Sequence, residues 1–479
     1  MAPTPSFRLS VVIPVYNERF TLATVVEQVL RQEGKPGIAA IQIVIVDDGS
    51  TDGTRDILAE LAARHPQIVP IYHQRNQGKT GAIRTGIEHA DGDLILFQDA
   101  DLEYDPNDYP RLLQPIVDGH ADVVFGSRYL GAEYRRILPF WHSIMNWGLT
   151  SLSNMLTNLH LTDMETCYKV FRAPILKSIP LRSSGFGLEP EITAKVAKRN
   201  LRIFEVPISY RGRTYDEGKK ITWKDGCWAL FYMLKYWLID DCYREPHGDV
   251  LHQVRLAPRF SAWLAELIRP FLAARVLEIG AGIGNLTSRF LPREAYFATD
   301  TEEHYLATLQ SRFGHDGRVK VLRFDLAAPP PAELFVPAPD TIVCLRGLER
   351  LDDDRPALAR LFEILAPGGS LILLVPQGPH LFGSLDEAVP HRRRYTRTEI
   401  TARLEEAGFR LERLDDFNRP GVVGWWLYGK VWRASTLDRL PMKVYEHLVW
   451  LFRRIDRFLP WPGLSLIAVA RKPASQTRP

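Results

Sequence analysis

The stretch Leu94–Tyr104, LILFQDADLEY, runs from a short apolar segment into Gln98 and then Asp99-Ala100-Asp101. Side chains alternate along extended chain, so an Asp-x-Asp at a strand end sends two carboxylates out to one side. Two converging carboxylates repel unless a cation lies between them. Mg²⁺ or Mn²⁺, bound by oxygen ligands and bridging a substrate's phosphates, is the natural partner. A strand-end turn with two solvated aspartates is the plain alternative. A second chemical signal lies far along the chain, where Glu278-Ile279-Gly280-Ala281-Gly282-Ile283-Gly284-Asn285 closes a strand pattern and opens a helical one. A glycine loop in that position lets backbone approach a nucleotide, and Asp300, ending the next strand pattern, is placed for ribose hydroxyls.

The elements that must position these groups are legible as alternating patterns. Ser10–Val15 and Ile41–Val46 are β-branched runs with helical spacing after each, and Ile68–Tyr72 is a third strand candidate. Strand and helix in alternation predict a parallel α/β sheet, with Pro14–Glu18, Asp47–Ser50 and Gln98–Asp101 converging outside the strand ends. Ala121–Arg128 reads as a further strand, with Arg128 just past its end. Beyond Ser261–Pro270, a helix, the strands Arg275–Ile279, Ala295–Thr299, Val319–Phe324, Thr341–Leu345 and Ser370–Val375 repeat the plan. Phe409–Asp416 and Ser465–Ala470 close it. The organisation is residues 1–240, a linker at 241–260, and residues 261–479 with an aromatic helical insertion at about 418–462.

A chain of 479 residues is too long for one ordinary core. With 60 basic against 57 acidic residues, net charge is +3, which is no footprint of a nucleic-acid binder. Cys167, Cys227, Cys242 and Cys344 lack metal or disulfide spacing. Residues 1–9 lack a signal-peptide plan, and no apolar run reaches the roughly 18 residues of a spanning helix. The expected location is cytoplasmic, peripheral on the cytosolic membrane face. Leu138–Leu161 and Trp223–Ile239 carry aromatic residues at near-helical spacing, with Trp141 and Trp147 close to Arg135 and Arg136. These suit either core helices or interfacial ones.

Together, the Pro14–Glu18, Asp47–Ser50 and Asp99–Asp101 motifs resemble family 2 (GT-A) glycosyltransferases of the dolichyl/polyprenyl-phosphate mannose or glucose synthase branch. The resemblance runs from about Leu9 to Asp225. It implies a half-Rossmann domain and a nucleoside pocket lined by Pro14, Tyr16 and Glu18, with Val46 and Asp48 at the base or ribose. Asp99, Ala100 and Asp101 would meet ribose, metal and diphosphate. Mg²⁺ or Mn²⁺ would rest on Asp99, Asp101 and Glu103, where the family often has Gln in place of Glu103. Asn76-Gln77-Gly78-Lys79 looks like the loop beside the donor; Arg128, Arg213 and Lys219 would face phosphates. The implied partners are a nucleoside-diphosphate sugar, GDP-mannose or UDP-glucose, and a polyprenyl phosphate. A hydroxyl acceptor would need a general base, for which Asp163, Glu165, Glu189 and Glu191 are candidates; a phosphate acceptor needs none.

Asp325 after Val319–Phe324, and Ala366-Pro367-Gly368-Gly369 before Ser370–Val375, make residues 270–472 resemble class I S-adenosylmethionine-dependent methyltransferases. That likeness implies a Rossmann-like domain with Glu278, Gly280, Gly282 and Gly284 against S-adenosylmethionine, Asp300 on its ribose and Asp325 at its adenine. In Leu381–Tyr395, His391 is a candidate base and Arg392–Arg394 a candidate phosphate clamp. The sequence thus predicts hexose transfer with inversion fused to methyl transfer. The alternative is a glycosyltransferase acting on a saccharide hydroxyl, with a non-catalytic cofactor-binding or scaffolding second half.

Overall fold

Runs rich in Val, Ile and Leu pair into two seven-stranded sheets, one in each of two compact units, residues 1–244 and 245–479. The computed structural model describes residues 6–131, 137, 139–212, 223–239, 241–244, 257–345, 347–389, 391–434 and 439–474. Arg135, Arg136, Arg213 and Lys219 lie outside the described residues.

The strands of the first unit are β1 (Phe7–Val15), β2 (Ile38–Asp47), β3 (Ile68–Tyr72), β4 (Leu94–Phe97), β5 (Val123–Ser127), β6 (Lys169–Arg172) and β7 (Ile203–Pro207). Its helices are α1 (Leu22–Leu30), α2 (Thr54–Arg64), α3 (Gly78–His89), α4 (Tyr109–Val117), α5 (Phe140–Thr157), α6 (Ala173–Lys177), α7 (Leu188–Lys198) and α8 (Trp223–Leu238). Strand order is β3-β2-β1-β4-β6-β5-β7. The sheet is mixed rather than wholly parallel, because β6 runs antiparallel to both β4 and β5. Four residues, KVFR, carry too little pattern to show that direction in sequence. Pro14 stands beside Val46 and Val15 beside Asp47 in register, which sets the two loops after β1 and β2 side by side.

In the second unit, β8 (Arg275–Ile279), β9 (Ala295–Asp300), β10 (Val319–Arg323), β11 (Thr341–Leu345), β12 (Ser370–Pro376), β13 (Arg410–Phe417) and β14 (Ser465–Arg471) assemble in the order β10-β9-β8-β11-β12-β14-β13. Only β14 is antiparallel, to β12 and β13. The order reverses between β8 and β11, the crevice where such sheets take ligands. Between β13 and β14 stand helices Arg419–Trp426 and Arg439–Ile455. The latter packs on helix Pro258–Ile268, where Glu446 accepts the N–H groups of Arg259 (2.7 Å) and Phe260 (3.3 Å). Those donors belong to the helix's first turn and have no intrahelical acceptor of their own.

Candidate functional site

The loops after β1 and β2 interlock through backbone donors. Asn17 N–H reaches Ser50 Oγ at 3.0 Å, Thr51 N–H reaches Asn17 Oδ1 at 2.9 Å, and Glu18 N–H reaches Thr54 Oγ1 at 3.0 Å. This holds Tyr16, 43% exposed, at the strand ends. Asp48 is buried, and its carboxylate accepts from Gln77 N–H (2.8 Å) and Gly78 N–H (2.7 Å), with His73 Nδ1 at 2.8 Å. Asp48 therefore acts first on the polypeptide: it clamps the turn that opens α3. Gly78 and Lys79 belong to the first turn of that helix rather than to a loop.

Lys79 Nζ lies 2.8 Å and 3.1 Å from the two Asp99 oxygens and 4.0 Å from Glu189. Burial works against its charge, but Asp99 beside it raises the Lys79 pKa well above the usual lysine value. Gln98, which the sequence places in the converging stretch but assigns no role, fixes this strand end. Its Oε1 accepts both the Tyr109 and Tyr168 hydroxyls at 2.7 Å, and its Nε2 donates to Asp99 O at 2.9 Å. A polar residue closing an apolar strand immediately before Asp-x-Asp is the signal that could have found it.

Among the described residues, no three His, Cys, Asp or Glu side chains gather to hold a metal alone. The expected set of Asp99, Asp101 and Glu103 is thus not preassembled: Asp99 is drawn to Lys79, and Glu103 accepts the Tyr210 hydroxyl at 2.7 Å. Magnesium-type ions commonly take one or two carboxylates and complete their shell with phosphates and water. The hard oxygens of Asp101, following buried Ala100, fit that partial role.

The remaining polar residues sort differently from expectation. Arg128 is not open to a phosphate: its Nε and Nη2 form a fork on Asp163, both at 2.6 Å. Burial opposes the guanidinium charge, yet Asp163 lifts the Arg128 pKa well above its ordinary value. Asp163 is therefore bound up as a counter-ion and unsuited as a base. Glu191 is likewise internal. It accepts Arg182 N–H at 2.8 Å, Ser183 N–H at 2.8 Å and Lys195 Nζ at 2.8 Å. Glu165 has a buried Oε1 with no hydrogen-bond partner. Burial and then Glu189 push its pKa up, against the pull of Lys169 and Arg128, which favours its neutral form.

In the second unit, Gly280 and Gly284 show why glycine stands in the loop. Gly280 has φ of +69°, and a Cβ there would meet nothing within 4 Å, leaving open space against the backbone. At Gly284 a Cβ would lie 2.4 Å from Phe313 Cε2. Gly282 N–H donates to Asp300 Oδ2 at 2.8 Å, while Asp300 Oδ1 accepts Thr301 N–H at 2.8 Å. Asp325, exposed after β10, accepts Ala327 N–H at 2.8 Å. The bare Gly280 backbone beside Asp300 fits a nucleoside cofactor. Glu278 instead faces inward, with Oε2 accepting from Thr287 Oγ1 (2.5 Å) and the Tyr296 hydroxyl (2.7 Å). Two of the three arginines in the run are engaged internally, while Arg392 stays 62% exposed. Arg394 is buried on Asp386 at 2.9 Å, and Arg393 ties to backbone oxygens of Leu351 and Asp352. His391 Nδ1 lies 3.0 Å from Asp386, and Nε2 lies 3.6 Å from Glu349. Trp425, from the insertion, donates to Asp386 at 3.1 Å.

Residues 10–179 match the family model described as glycosyl transferase family 2, and residues 277–371 match a methyltransferase domain. The undecaprenyl-phosphate mannosyltransferase of Micrococcus luteus is 30% identical over 219 residues, covering 44% of this chain and 87% of that protein. The chain belongs to glycosyl transferase family 2. It is a glycosyltransferase fused to a methyltransferase domain. The dodecaprenyl-phosphate galacturonate synthase of Rhizobium johnstonii is also 30% identical, covering 45% of this chain and 63% of that protein. A solved glucosyl-3-phosphoglycerate synthase from Mycobacterium tuberculosis, in complex with Mn²⁺, UDP and phosphoglyceric acid, is 19% identical. It covers 48% of this chain and 79% of its own, with a TM-score of 0.38.

The methyltransferase domain carries a pH signature. Burial raises Glu278 from 4.5 to about 7, against the hydrogen bonds of Thr287 and Tyr296. The unfolded chain releases this proton above about pH 4.5 and the folded domain only above about pH 7. Stability is thus fully present below the lower value and falls as pH rises through the higher one. Relative to Glu278→Gln, the wild-type domain should lose about 3 kcal/mol between those limits. Denaturant unfolding of both proteins across that range checks it; parallel pH profiles would refute the assignment.

Proposed function

We propose that the glycosyltransferase half transfers a hexose from a nucleoside-diphosphate sugar, GDP-mannose or UDP-glucose, to a polyprenyl phosphate with inversion. The acceptor phosphate oxygen attacks the anomeric carbon, and the bond to the diphosphate breaks with its electron pair leaving on the nucleoside diphosphate. Pro14, Tyr16, Glu18, Val46, Asp48 and Lys79 frame the donor, with Asp99 and Asp101 at its diphosphate. A bound Mg²⁺ or Mn²⁺ would neutralise the leaving diphosphate. Asp101, with Asp99 and Glu103 close in sequence, would hold it.

The observation that carries the acceptor is a pair of apolar helices flanking this cluster. Trp141, Trp147 and Met155 of α5 are 74%, 68% and 81% exposed, and Trp228, Phe231 and Leu238 of α8 are 57%, 51% and 63% exposed. The side chain of Asn146 on α5 reaches Asp163, and the Tyr232 hydroxyl on α8 bonds Ser184, close to Glu189. Exposed aromatics in that quantity suit a membrane interface. Among the described residues no helix is long and apolar enough to cross a membrane, and the attachment proposed is to the cytosolic surface. Of the four candidate bases, Asp163 and Glu191 are held in internal ion pairs and burial favours the neutral form of Glu165, which leaves Glu189, 4.0 Å from Lys79, as the one a hydroxyl acceptor would have to use. The relatives' names, with mannose and galacturonate donors but polyprenyl-phosphate acceptors in common, support the phosphate acceptor.

The methyltransferase half would use S-adenosylmethionine, against Gly280, Gly282, Gly284 and Asp300, to methylate the glycosylated or lipid-linked product. The test is nucleotide release from a donor panel, with and without Mg²⁺ or Mn²⁺, supplied with polyprenyl phosphate in vesicles or with soluble saccharides. Turnover only with saccharides would overturn the lipid acceptor. Trp141→Ala/Trp147→Ala should reduce vesicle retention by at least about tenfold, given the apolar area removed. Calorimetric titration of S-adenosylmethionine, with labelled methyl transfer into lipid extracts, tests the second half. Binding without transfer would demote it to a cofactor-binding module.

A further inference from the structure

A cavity of about 370 Å³ lies on the outward side of α3. Gln77, Gly81, Arg84 and Glu88 form one wall along a single face of that helix, and Arg182 and Arg244 form the other. Gly81 keeps its floor open: a Cβ there would stand 2.7 Å from Gln77 Cβ and 3.9 Å from Arg84 Nη2. Three guanidiniums thus share one concave space with a single carboxylate.

The far wall is built rather than incidental. Arg182 N–H is fixed by Glu191, and Pro180 O accepts Lys195 Nζ at 2.5 Å, both partners buried. Residues 241–244 are pinned by Arg199, which donates to Cys242 O at 3.0 and 2.6 Å and covers the Tyr243 ring at 3.8 Å. Arg244 N–H donates to Ser178 O at 2.9 Å. Among the described residues, the guanidiniums themselves are held by contacts of 3.3 Å or longer: Arg84 to Leu181 O at 3.4 Å, Arg182 to Asp241 at 3.3 Å, Arg244 to Glu88 at 3.8 Å. Fixed backbone bearing loosely engaged arginine forks is suited to an incoming oxyanion, whose geometry such forks match in bidentate fashion.

We propose that this cavity is a second anion site that takes a phosphate-bearing ligand, separate from the Asp99–Asp101 strand end. It lies behind the turn that Asp48 clamps, since Gln77 both lines the cavity and donates its N–H to Asp48. The phosphate could come from a soluble phosphomonoester or from a lipid headgroup. The full-length protein is titrated calorimetrically with inorganic phosphate and with glycerol phosphate, and is sedimented with phosphatidylcholine vesicles containing phosphatidic acid. Arg84→Gln/Arg182→Gln should weaken phosphate binding at least about tenfold, because charge-assisted hydrogen bonds are lost. Glu88→Gln should strengthen it about twofold to threefold by removing the one acid that lines the cavity, with Asp241 still beside Arg182. Arg182 is 66% exposed, so Arg182→Gln alone serves if the double variant does not fold. Retention on phosphatidic acid vesicles that the variants lose identifies a lipid headgroup; soluble binding without vesicle retention identifies a free phosphate ligand. Phosphate affinity unchanged in both charge variants, or no phosphate binding by wild type, overturns the site.

Discussion

Asp101→Ala is expected to lower hexosyl transfer by at least about a thousandfold while leaving S-adenosylmethionine binding unchanged. The magnitude follows from removing a preorganised charge at a centre where diphosphate charge develops in the transition state. The backbone that presents Asp101 is rigid for reasons independent of its carboxylate. Gln98 is fully buried between two tyrosine hydroxyls and ties back to Asp99 O, and Ala100 is 4% exposed. One of Asp101's contacts, Oδ1 accepting Glu103 N–H at 3.2 Å, is a local turn bond whose loss costs little. Folding should survive, and the loss should appear in kcat rather than in unfolding free energy. Radiolabelled sugar transfer and calorimetric cofactor binding on the same preparation measure both. The cofactor loop belongs to a separate compact unit, residues 245–479. Parallel loss of both activities would mean that the halves fold or work as one cooperative body.

How much of this was legible in sequence depends on the distance between partners. The strand runs at Ile68–Tyr72, Arg275–Ile279 and Thr341–Leu345 fall on β3, β8 and β11 with the same bounds, because a buried strand writes its pattern within itself. The glycine loop was legible for the same reason: strand, turn and helix are contiguous. The direction of β6 was not, since it is decided by pairing with β4 and β5 rather than by its own four residues. Side-chain roles were hidden most where partners are remote. Asp48 reads as a ligand-facing acid after a strand, yet its carboxylate meets Gln77 and Gly78, about thirty positions later. Glu191 reads as a helix N-terminal acid or a base, and only the folded chain brings Arg182 and Ser183 N–H groups onto it. Motif spacing locates the strand ends where chemistry gathers, but the counter-ions that decide which carboxylates remain usable come from other elements.

The sharpest case is Asp163, whose substitution should cost the first unit a large share of its stability. Asp163→Asn is expected to lower the unfolding free energy by about 3–5 kcal/mol. The carboxylate is fully buried and receives both Arg128 guanidinium contacts at 2.6 Å, with Arg128 N–H at 3.1 Å and Asn146 Nδ2 at 3.3 Å. An asparagine would leave a guanidinium, only 14% exposed, facing a neutral amide and would turn one acceptor into a donor. Most of that cost is the stranded charge, not the net worth of the pair, so replacing both residues separates the two. Arg128→Met/Asp163→Leu should recover most of the lost stability, since apolar residues of similar volume can substitute for a buried ion pair. Urea unfolding of the three proteins provides the energies. If Asp163→Asn unfolds like wild type, the fork does not restrain Arg128, and the arginine regains standing as a phosphate ligand. If instead the single variant is destabilised and the double variant recovers stability but not hexosyl transfer, Arg128 is needed for more than its pairing with Asp163. Recovery of both would leave the pair a support for the wall beside Tyr210, over whose ring Arg128 lies at 5.1 Å.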